Sequence, residues 1–326
     1  MADSQYILEV NNLCQHFTSG RGKKQLTVKA VDDVTFGVRP AETFGLVGES
    51  GCGKTTTGRT IIRLYNPTGG EVLFNGRDIA GKMNPDLRKY LTDNIAMIFQ
   101  DPIESLNPKM TIEEIIGEGL KVRGMKDQAE IRKMVVDMLR KVGLVEEHAT
   151  RYPHEFSGGQ RQRIGIARAI IVKPKMIIAD EPVSALDVSV QAQVINLLND
   201  LKEEMGLTIL FIAHNLSVVK YFSDRIGVMY FGHLVEVANG EDLYKNPLHP
   251  YTKALLSAIP VPSLQKKRER IILKGELTSP INPKEGCRFA PRCLYATEEC
   301  FHSTPKLRDM GNGHKVACHR AEELNK

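Results

Sequence analysis

The sequence predicts an α/β protein: a mostly parallel sheet with helices on it, an antiparallel β part, a helical insert, and a small cysteine-bearing region at the C-terminus. Three observations lead there. Apolar runs of strand length at Thr43–Val47, 176–179 and 207–213 each stop at polar or glycine-rich residues, as buried strands do. The first runs into Gly48-Glu49-Ser50-Gly51-Cys52-Gly53-Lys54-Thr55, a complete G-x-x-x-x-G-K-[ST] phosphate loop, which requires a strand before it and a helix after it. Between Asp101 and Phe156 the pattern turns helical, with Ile131, Val135, Met138, Leu139 and Val142 at helical spacing.

Composition narrows the function classes. A net charge of +5 over 326 residues is too small to argue for nucleic acid. No apolar stretch approaches the ~20 residues that span a bilayer. The opening Met-Ala-Asp-Ser-Gln lacks the basic and apolar parts of a secretory signal. A cytosolic protein is expected, with any membrane role coming through a partner.

Taken in order, 6–10 alternates like a strand, Phe17 follows, and the Gly/Lys-rich 19–24 reads as a hairpin tip before a second strand at 30–38. In the phosphate loop, glycines let backbone N–H groups point at phosphate oxygens. Lys54 reaches the β- and γ-phosphates, the Thr55 hydroxyl binds Mg²⁺, and Thr56 is placed to touch the α-phosphate. A helix over 55–64 would aim its N-terminus at the same anion. Strands at 71–74 and 95–99 follow, the second ending on Gln100, at the edge where open α/β sheets bind ligands.

Helices at 111–122 and 128–142 make the insert, which spans about 101–157. Phe156-Ser157-Gly158-Gly159-Gln160 then opens another helix. Its start offers backbone N–H groups and a positive dipole end to an anion. The run 176–179 ends on Asp180-Glu181, a metal or water ligand beside a base, and Ser184-Ala185-Leu186-Asp187 follows. A helix over 187–204 and a buried strand over 207–213 lead to His214, again at the ligand edge. A hairpin at 226–230 and 234–237 and a helix ending near 259 precede Pro260-Val261-Pro262, the expected domain boundary.

These motifs together resemble the ATP-binding subunits of ABC transporters, and the resemblance covers nearly the whole chain. It implies an ABC-type P-loop NTPase domain over 1–259. Ser157 to Gln160 correspond to the signature motif, Asp180-Glu181 to Walker B, Asp187 to the D-loop, Gln100 to the Q-loop and His214 to the switch histidine, with Asn215 where the family usually has Asp. Phe17 takes the place of the aromatic that stacks on adenine. The implied reaction is ATP hydrolysis: the loop from Gly48 through Ser50, Gly51, Cys52, Gly53, Lys54, Thr55 and Thr56 holds Mg-ATP. Thr55, Gln100 and Asp180 serve the Mg²⁺, and Glu181 is the general base. Ser157, Gly158 and Gly159 close over ATP on an opposing subunit. Ser105 to Pro108 and Arg151 to Glu155 resemble the surface that grips a membrane partner.

Over 260–326 the chain carries Cys287-x5-Cys293-x6-Cys300-x17-Cys318. In a reducing compartment such a cluster favours a metal. Four thiolates can hold zinc or an iron–sulfur cluster. No C-x2-4-C knuckle occurs, and the wide spacing suits a cluster better. Free thiols or a disulfide, zinc, and ligation by His302, His314 or His319 stay open. Asn-Pro-x-His-Pro-Tyr at 246–251, Gly275-Glu276-Leu277-x-Ser279-Pro280, Gly286-Cys287-x-Phe289-x2-Arg292-Cys293 and the helix start Asp187-Val188-Ser189-Val190-Gln191 resemble dipeptide and oligopeptide importer ATPases. Members of that branch carry a [4Fe–4S] cluster on such cysteines. The resemblance implies a translocase ATPase peripheral to the cytoplasmic face of the inner membrane. Its partners would be two permease subunits, a second ATP-binding subunit (a paralogue) and, through the permeases, an extracytoplasmic peptide-binding protein. The alternatives are a soluble ABC ATPase acting on nucleic acid or ribosomes, and an iron–sulfur redox-regulated ATPase.

Overall fold

The structure is a computed structural model that describes residues 5–20, 25–259, 270–273 and 280–325. The expected boundary at 260–262, Gly275-Glu276-Leu277 and part of the hairpin tip, 21–24, lie outside the described residues. The chain forms two compact units, one of residues up to 81 together with 213 onward, the other of 82–212.

The first unit starts with β1 (Leu8–Ser19), β2 (Leu26–Val38), β3 (Thr43–Val47), α1 (Lys54–Ile61), β4 (Gly69–Phe74) and β5 (Arg77–Asp78). An antiparallel sheet has the order β2-β1-β4-β5. β1 runs well past the expected 6–10. Its register shifts between Val10 and Leu13, and Asn12 takes a left-handed φ of 50°. A bulge breaks the period-two pattern by which a strand is read. α1 stops at Ile61, short of the expected 64, because Arg63 turns to φ 65°.

The second unit contains α2 (Pro85–Asn94), β6 (Ile95–Ile98), α3 (Pro102–Ser105), α4 (Ile112–Val122), α5 (Gln128–Lys141), α6 (Gly158–Ile170), β7 (Met176–Asp180), α7 (Val188–Met205) and β8 (Thr208–Ala213). β6, β7 and β8 are parallel neighbours in that order. Every residue of β7 and β8 is buried, as expected of strands covered on both faces. α3 to α5 form the helical insert. Five of these helices begin on side-chain caps: Asn84, Thr111, Asp127, Ser157 and Asp187 accept N–H bonds from the first turns of α2, α4, α5, α6 and α7, each worth about 1 kcal/mol.

The first unit resumes with α8 (Leu216–Phe222), β9 (Arg225–Tyr230), β10 (His233–Asn239), α9 (Gly240–Lys245), α10 (Pro250–Ser257), α11 (Glu298–His302), β11 (Arg308–Asp309), β12 (Lys315–Val316) and α12 (Ala321–Leu324). β3 pairs parallel with β9, and β10, β12 and β11 add antiparallel in turn. The C-terminal region thus extends the sheet that carries the phosphate loop. Buried Glu236 on β10 fastens it, accepting Leu248 N at 2.7 Å and His249 N at 2.9 Å while pairing with His314 Nε2 at 2.7 Å. Among the described residues, no helix is long and apolar enough to cross a membrane.

His249 caps α10, its Nδ1 accepting Tyr251 N at 3.0 Å. Burial pushes its pKa down to about 4, against the pull of nearby Glu236. The folded state therefore resists a proton that the unfolded chain takes up near its ordinary pKa of 6.5. Stability is full above that value and falls as pH drops toward the folded one, by about 3 kcal/mol in all. Urea unfolding at pH 7 and pH 5 is expected to show a smaller acid loss in His249→Asn, which keeps a capping side chain, than in the parent.

Candidate active site and thiol site

The first unit presents the phosphate loop between β3 and α1. Gly53, at the N-cap of α1, sits at φ 107°, and a Cβ there would lie 2.1 Å from Ala30 O. Only glycine fits that turn. No acidic residue enters the first turn of α1, and its N-cap has no side chain to spend on the N–H groups, so the helix end is left to an anion. Lys54 is buried and folds back along the loop, donating to Gly48 O at 2.8 Å and Glu49 O at 3.0 Å, with Cys52 Sγ at 3.7 Å. Cys52 is a buried loop residue whose thiol is pushed up by burial. Phe17, near the end of β1, is 39% exposed and meets Tyr65 edge-on at 5.3 Å, which leaves ring surface for stacking. His214 is exposed and immediately follows β8 in the chain, and Asn215 caps α8 by accepting Ser217 N at 2.9 Å.

Sequence reasoning missed the residues that grip Glu49 in this loop. Tyr251 Oη accepts the Glu49 N–H at 3.0 Å, and Arg292 Nη1 meets the Glu49 carboxylate at 2.9 Å. Both partners lie about two hundred positions or more away, and no local spacing signals them.

In the second unit, Asp180 is fully buried at the end of β7. Glu181 follows with a left-handed φ of 45°, its N–H held by Ile212 O at 2.9 Å and its carbonyl accepting Ser184 Oγ at 3.0 Å. A glutamate held there costs about 1–3 kcal/mol and marks functional sites. Gln100 Nε2 donates to Glu181 Oε2 at 3.2 Å. The structure thus brings together Gln100 and Glu181, two residues expected to share one site.

α6 begins at the signature residues. Ser157 Oγ accepts Gln160 N at 3.3 Å, and Gln160 Oε1 accepts Ser157 N at 3.0 Å. This reciprocal box uses two donors, so the helix end offers an anion Gly158 N–H and Gly159 N–H. Gly159 is also a packing requirement, because a Cβ there would stand 2.5 Å from Val190 Cγ1 on α7. Asp187 accepts Ser189 Oγ at 2.6 Å and Val190 N at 3.0 Å, which together lower its pKa.

The C-terminal thiols converge. Cys287, Cys293, Cys300 and Cys318 line one cavity of about 20 Å³, with His249, Phe289 and Arg320 in its wall. None is in a disulfide. Burial raises Cys287 to about 12 and also raises Cys293 and Cys318. Against this, the backbone N–H groups of Phe289, Tyr295 and Arg320, each two residues on, pull the thiols of Cys287, Cys293 and Cys318 down. Thr297 Oγ1 lies 3.5 Å from Cys300 Sγ. Backbone N–H groups turned toward sulfur in this way favour the thiolate.

Among the described residues, the group of three or more donors within 4.8 Å of one another is Cys14, His16 and Asp32. The four tail thiols do not form such a group, so they stand wider than the tetrahedral Zn–S set requires. The Cys14 group is itself no cation site. Burial works against the charge on Asp32, but His233, Lys29 and His16 outweigh it and hold its carboxyl low, and Arg288 adds an ion pair at 2.7 Å. That carboxylate is already spent on cations.

A family profile described as ABC transporter matches residues 31–184, and one described as the oligopeptide/dipeptide transporter C-terminal region matches 235–300. The oligopeptide transport ATP-binding protein AppF of Bacillus subtilis (strain 168) is 53% identical over 323 residues, covering 98% of each chain. The chain belongs to the ABC transporter ATPases. It carries the C-terminal region of their oligopeptide/dipeptide branch. OppF of Escherichia coli (strain K12), also named an oligopeptide transport ATP-binding protein, is 52% identical over 326 residues, 98% of this chain and 97% of that one. A solved dimeric ATP-binding cassette in a post-hydrolysis state, bound to ADP and Pi, superimposes with a TM-score of 0.64 at 30% identity, covering 71% of this chain and 98% of that one.

Gly159→Ala is expected to destabilise the protein by about 1–3 kcal/mol, because the new methyl meets Val190 in a packed contact. Urea unfolding of Gly159→Ala and of Gly159→Ala with Val190→Ala checks this, with the second change recovering most of the loss.

Proposed function

We propose that this ABC ATPase is the ATP-hydrolysing subunit of a membrane importer for dipeptides or oligopeptides. The observation that carries the reading is the end-to-end match, at 98% coverage, to a relative named an oligopeptide transport ATP-binding protein. The matched C-terminal region at 235–300 adds to it. The soluble nucleic-acid or ribosome ATPase and the redox-regulated ATPase gain no such support.

In this reading 1–259 is the ATP-binding domain, with its helical part at about 101–157, and 260–326 is the branch-specific appendage. Ser50, Gly51, Gly53, Lys54 and Thr56 hold the phosphates, and Phe17 stacks on adenine. The donor set for Mg²⁺ is the Thr55 hydroxyl, the Asp180 carboxylate and the Gln100 amide oxygen, all hard oxygen ligands suited to that ion. Bound there, Mg²⁺ neutralises charge developing on the phosphate oxygens. Glu181 takes a proton from the attacking water as general base. Gln100, already bonded to Glu181, holds that carboxylate in place, and His214 contacts the γ-phosphate. Gly158 and Gly159, at the capped start of α6, close over ATP on an opposing ATPase subunit, and Asp187 lies beside that contact. Two permease subunits, a paralogous second ATPase and an extracytoplasmic peptide-binding protein complete the assembly, with this chain peripheral on the cytoplasmic face of the inner membrane.

The four thiols, converging on one cavity, suit a [4Fe–4S] cluster, which would supply a compact anionic cross-link when bound. Protein purified without air is expected to carry about four iron and four sulfide per chain. Zinc in place of iron would remove the cluster from the reading.

Glu181→Gln is expected to bind ATP with near-parental affinity and to hydrolyse it orders of magnitude more slowly. Measured in vesicles containing the permease subunits, its peptide uptake should vanish. Turnover close to parental would refute the role of Glu181, and uptake without peptide selectivity would refute the cargo.

A further inference from the structure

The phosphate loop carries an acid where it must hold a polyanion. Glu49 is its second residue, and every polar group of Glu49 is fixed. Its carbonyl accepts Lys54 Nζ at 3.0 Å, and its N–H is donated to Tyr251 Oη at 3.0 Å. Its carboxylate is held in a fork by Arg292, with Nη1 to Oε2 at 2.9 Å and Nη2 to Oε1 at 3.5 Å, while Tyr230 Oη lies 3.4 Å from Nη1. The Arg292 side chain is 11% exposed and that of Glu49 32%. A partly buried pair of this kind is weakly screened, and losing one partner leaves the other charge exposed to its neighbours.

Arg292 is not free to wander. The short helical turn that carries it, Ala290–Arg292, is closed by Ala290 N to Cys287 O at 3.0 Å and Cys293 N to Ala290 O at 3.2 Å. It is braced between two of the four cysteines. Phe289, just before it, packs against Tyr230 at 5.2 Å and Tyr251 at 5.5 Å, the two tyrosines that reach the Glu49 contacts.

We propose that Arg292 is a positioning residue for ATP binding: it neutralises Glu49 and fixes the first turn of the phosphate loop, so that ATP affinity depends on the thiol-bearing region. The inference rests on the reading of Gly48 to Thr55 as the ATP phosphate site. Without Arg292, the Glu49 carboxylate repels the phosphates and pulls on the loop that cradles them. An arginine that merely stapled the C-terminal region to the core would lack this dependence on the charge of Glu49.

The test is equilibrium titration of the full chain with a non-hydrolysable ATP analogue. Arg292→Gln is expected to bind about tenfold more weakly, a loss of about 1.4 kcal/mol, and the deficit should shrink at high salt. Arg292→Lys, which keeps the charge, should recover most of the affinity. The double variant Glu49→Gln with Arg292→Gln should recover it as well, since the repelling charge is gone. Parental affinity in Arg292→Gln, or a double variant as weak as the single one, would overturn the proposal. Should Arg292→Gln not fold, Glu49→Gln alone decides: it is expected to bind about two- to threefold tighter, and weaker binding rejects the idea. Lys54→Ala separates the two levels. If it binds normally, the phosphate-loop reading itself fails. If it loses binding while Arg292→Gln does not, only the role of Arg292 fails.

Discussion

Two backbone carbonyls shape the phosphate loop. A Cβ on Gly48 would stand 2.2 Å from Met229 O on β9, and one on Gly53 would stand 2.1 Å from Ala30 O on β2. The loop is thus cast between strands of two different sheets, and neither end tolerates a side chain. Everything else in that unit follows from this mould. Lys54 is forced inward along the loop carbonyls, α1 starts on a residue with no side chain, and Glu49 is turned toward α10 and the Ala290–Arg292 turn. A loop gripped in this way is already ordered before nucleotide arrives, so little conformational entropy remains to be lost on binding.

The second unit solves a similar anion problem differently. α6 begins with a reciprocal Ser157–Gln160 box and then two glycines, the second of which is demanded by Val190 as much as by any ligand. The Glu181 backbone is held in a left-handed conformation by Ile212 O and Ser184. One end of that unit's chemistry is relaxed and capped, while the other is strained and held. Strain of this kind persists only where the surroundings over-determine it.

What the sequence made legible tracks how local each determinant is. β3 was readable to the residue because four of its five positions carry no polar side chain and a complete loop motif ends it. The caps at Thr111 and Asp187 sit one residue before their helices, as local chemistry dictates. α2 passed unread although Asn84 and Pro85 form a cap and first-turn pair, because its remaining residues are mostly polar and give little periodic signal. β1 was cut short at its bulge. The grip of Tyr251 and Arg292 on Glu49 could not be read at all, since a contact across 202 or 243 positions leaves no trace in spacing. The four cysteines were visible as a set, but their convergence on one cavity was not.

The pairing of β12 with β10 has a consequence of another kind. Strand β10 is almost wholly buried, yet without the C-terminal region it would form the border of its sheet, with a row of unpaired N–H and C=O groups facing outward. Such a border is a template on which a strand from another molecule can grow. β12 covers it at Glu236 and Val237, and β11 beyond it presents a border only two residues long. The appendage that gathers the cysteines therefore also shortens the stretch of β10 left open to such pairing, whatever occupies the thiol cavity.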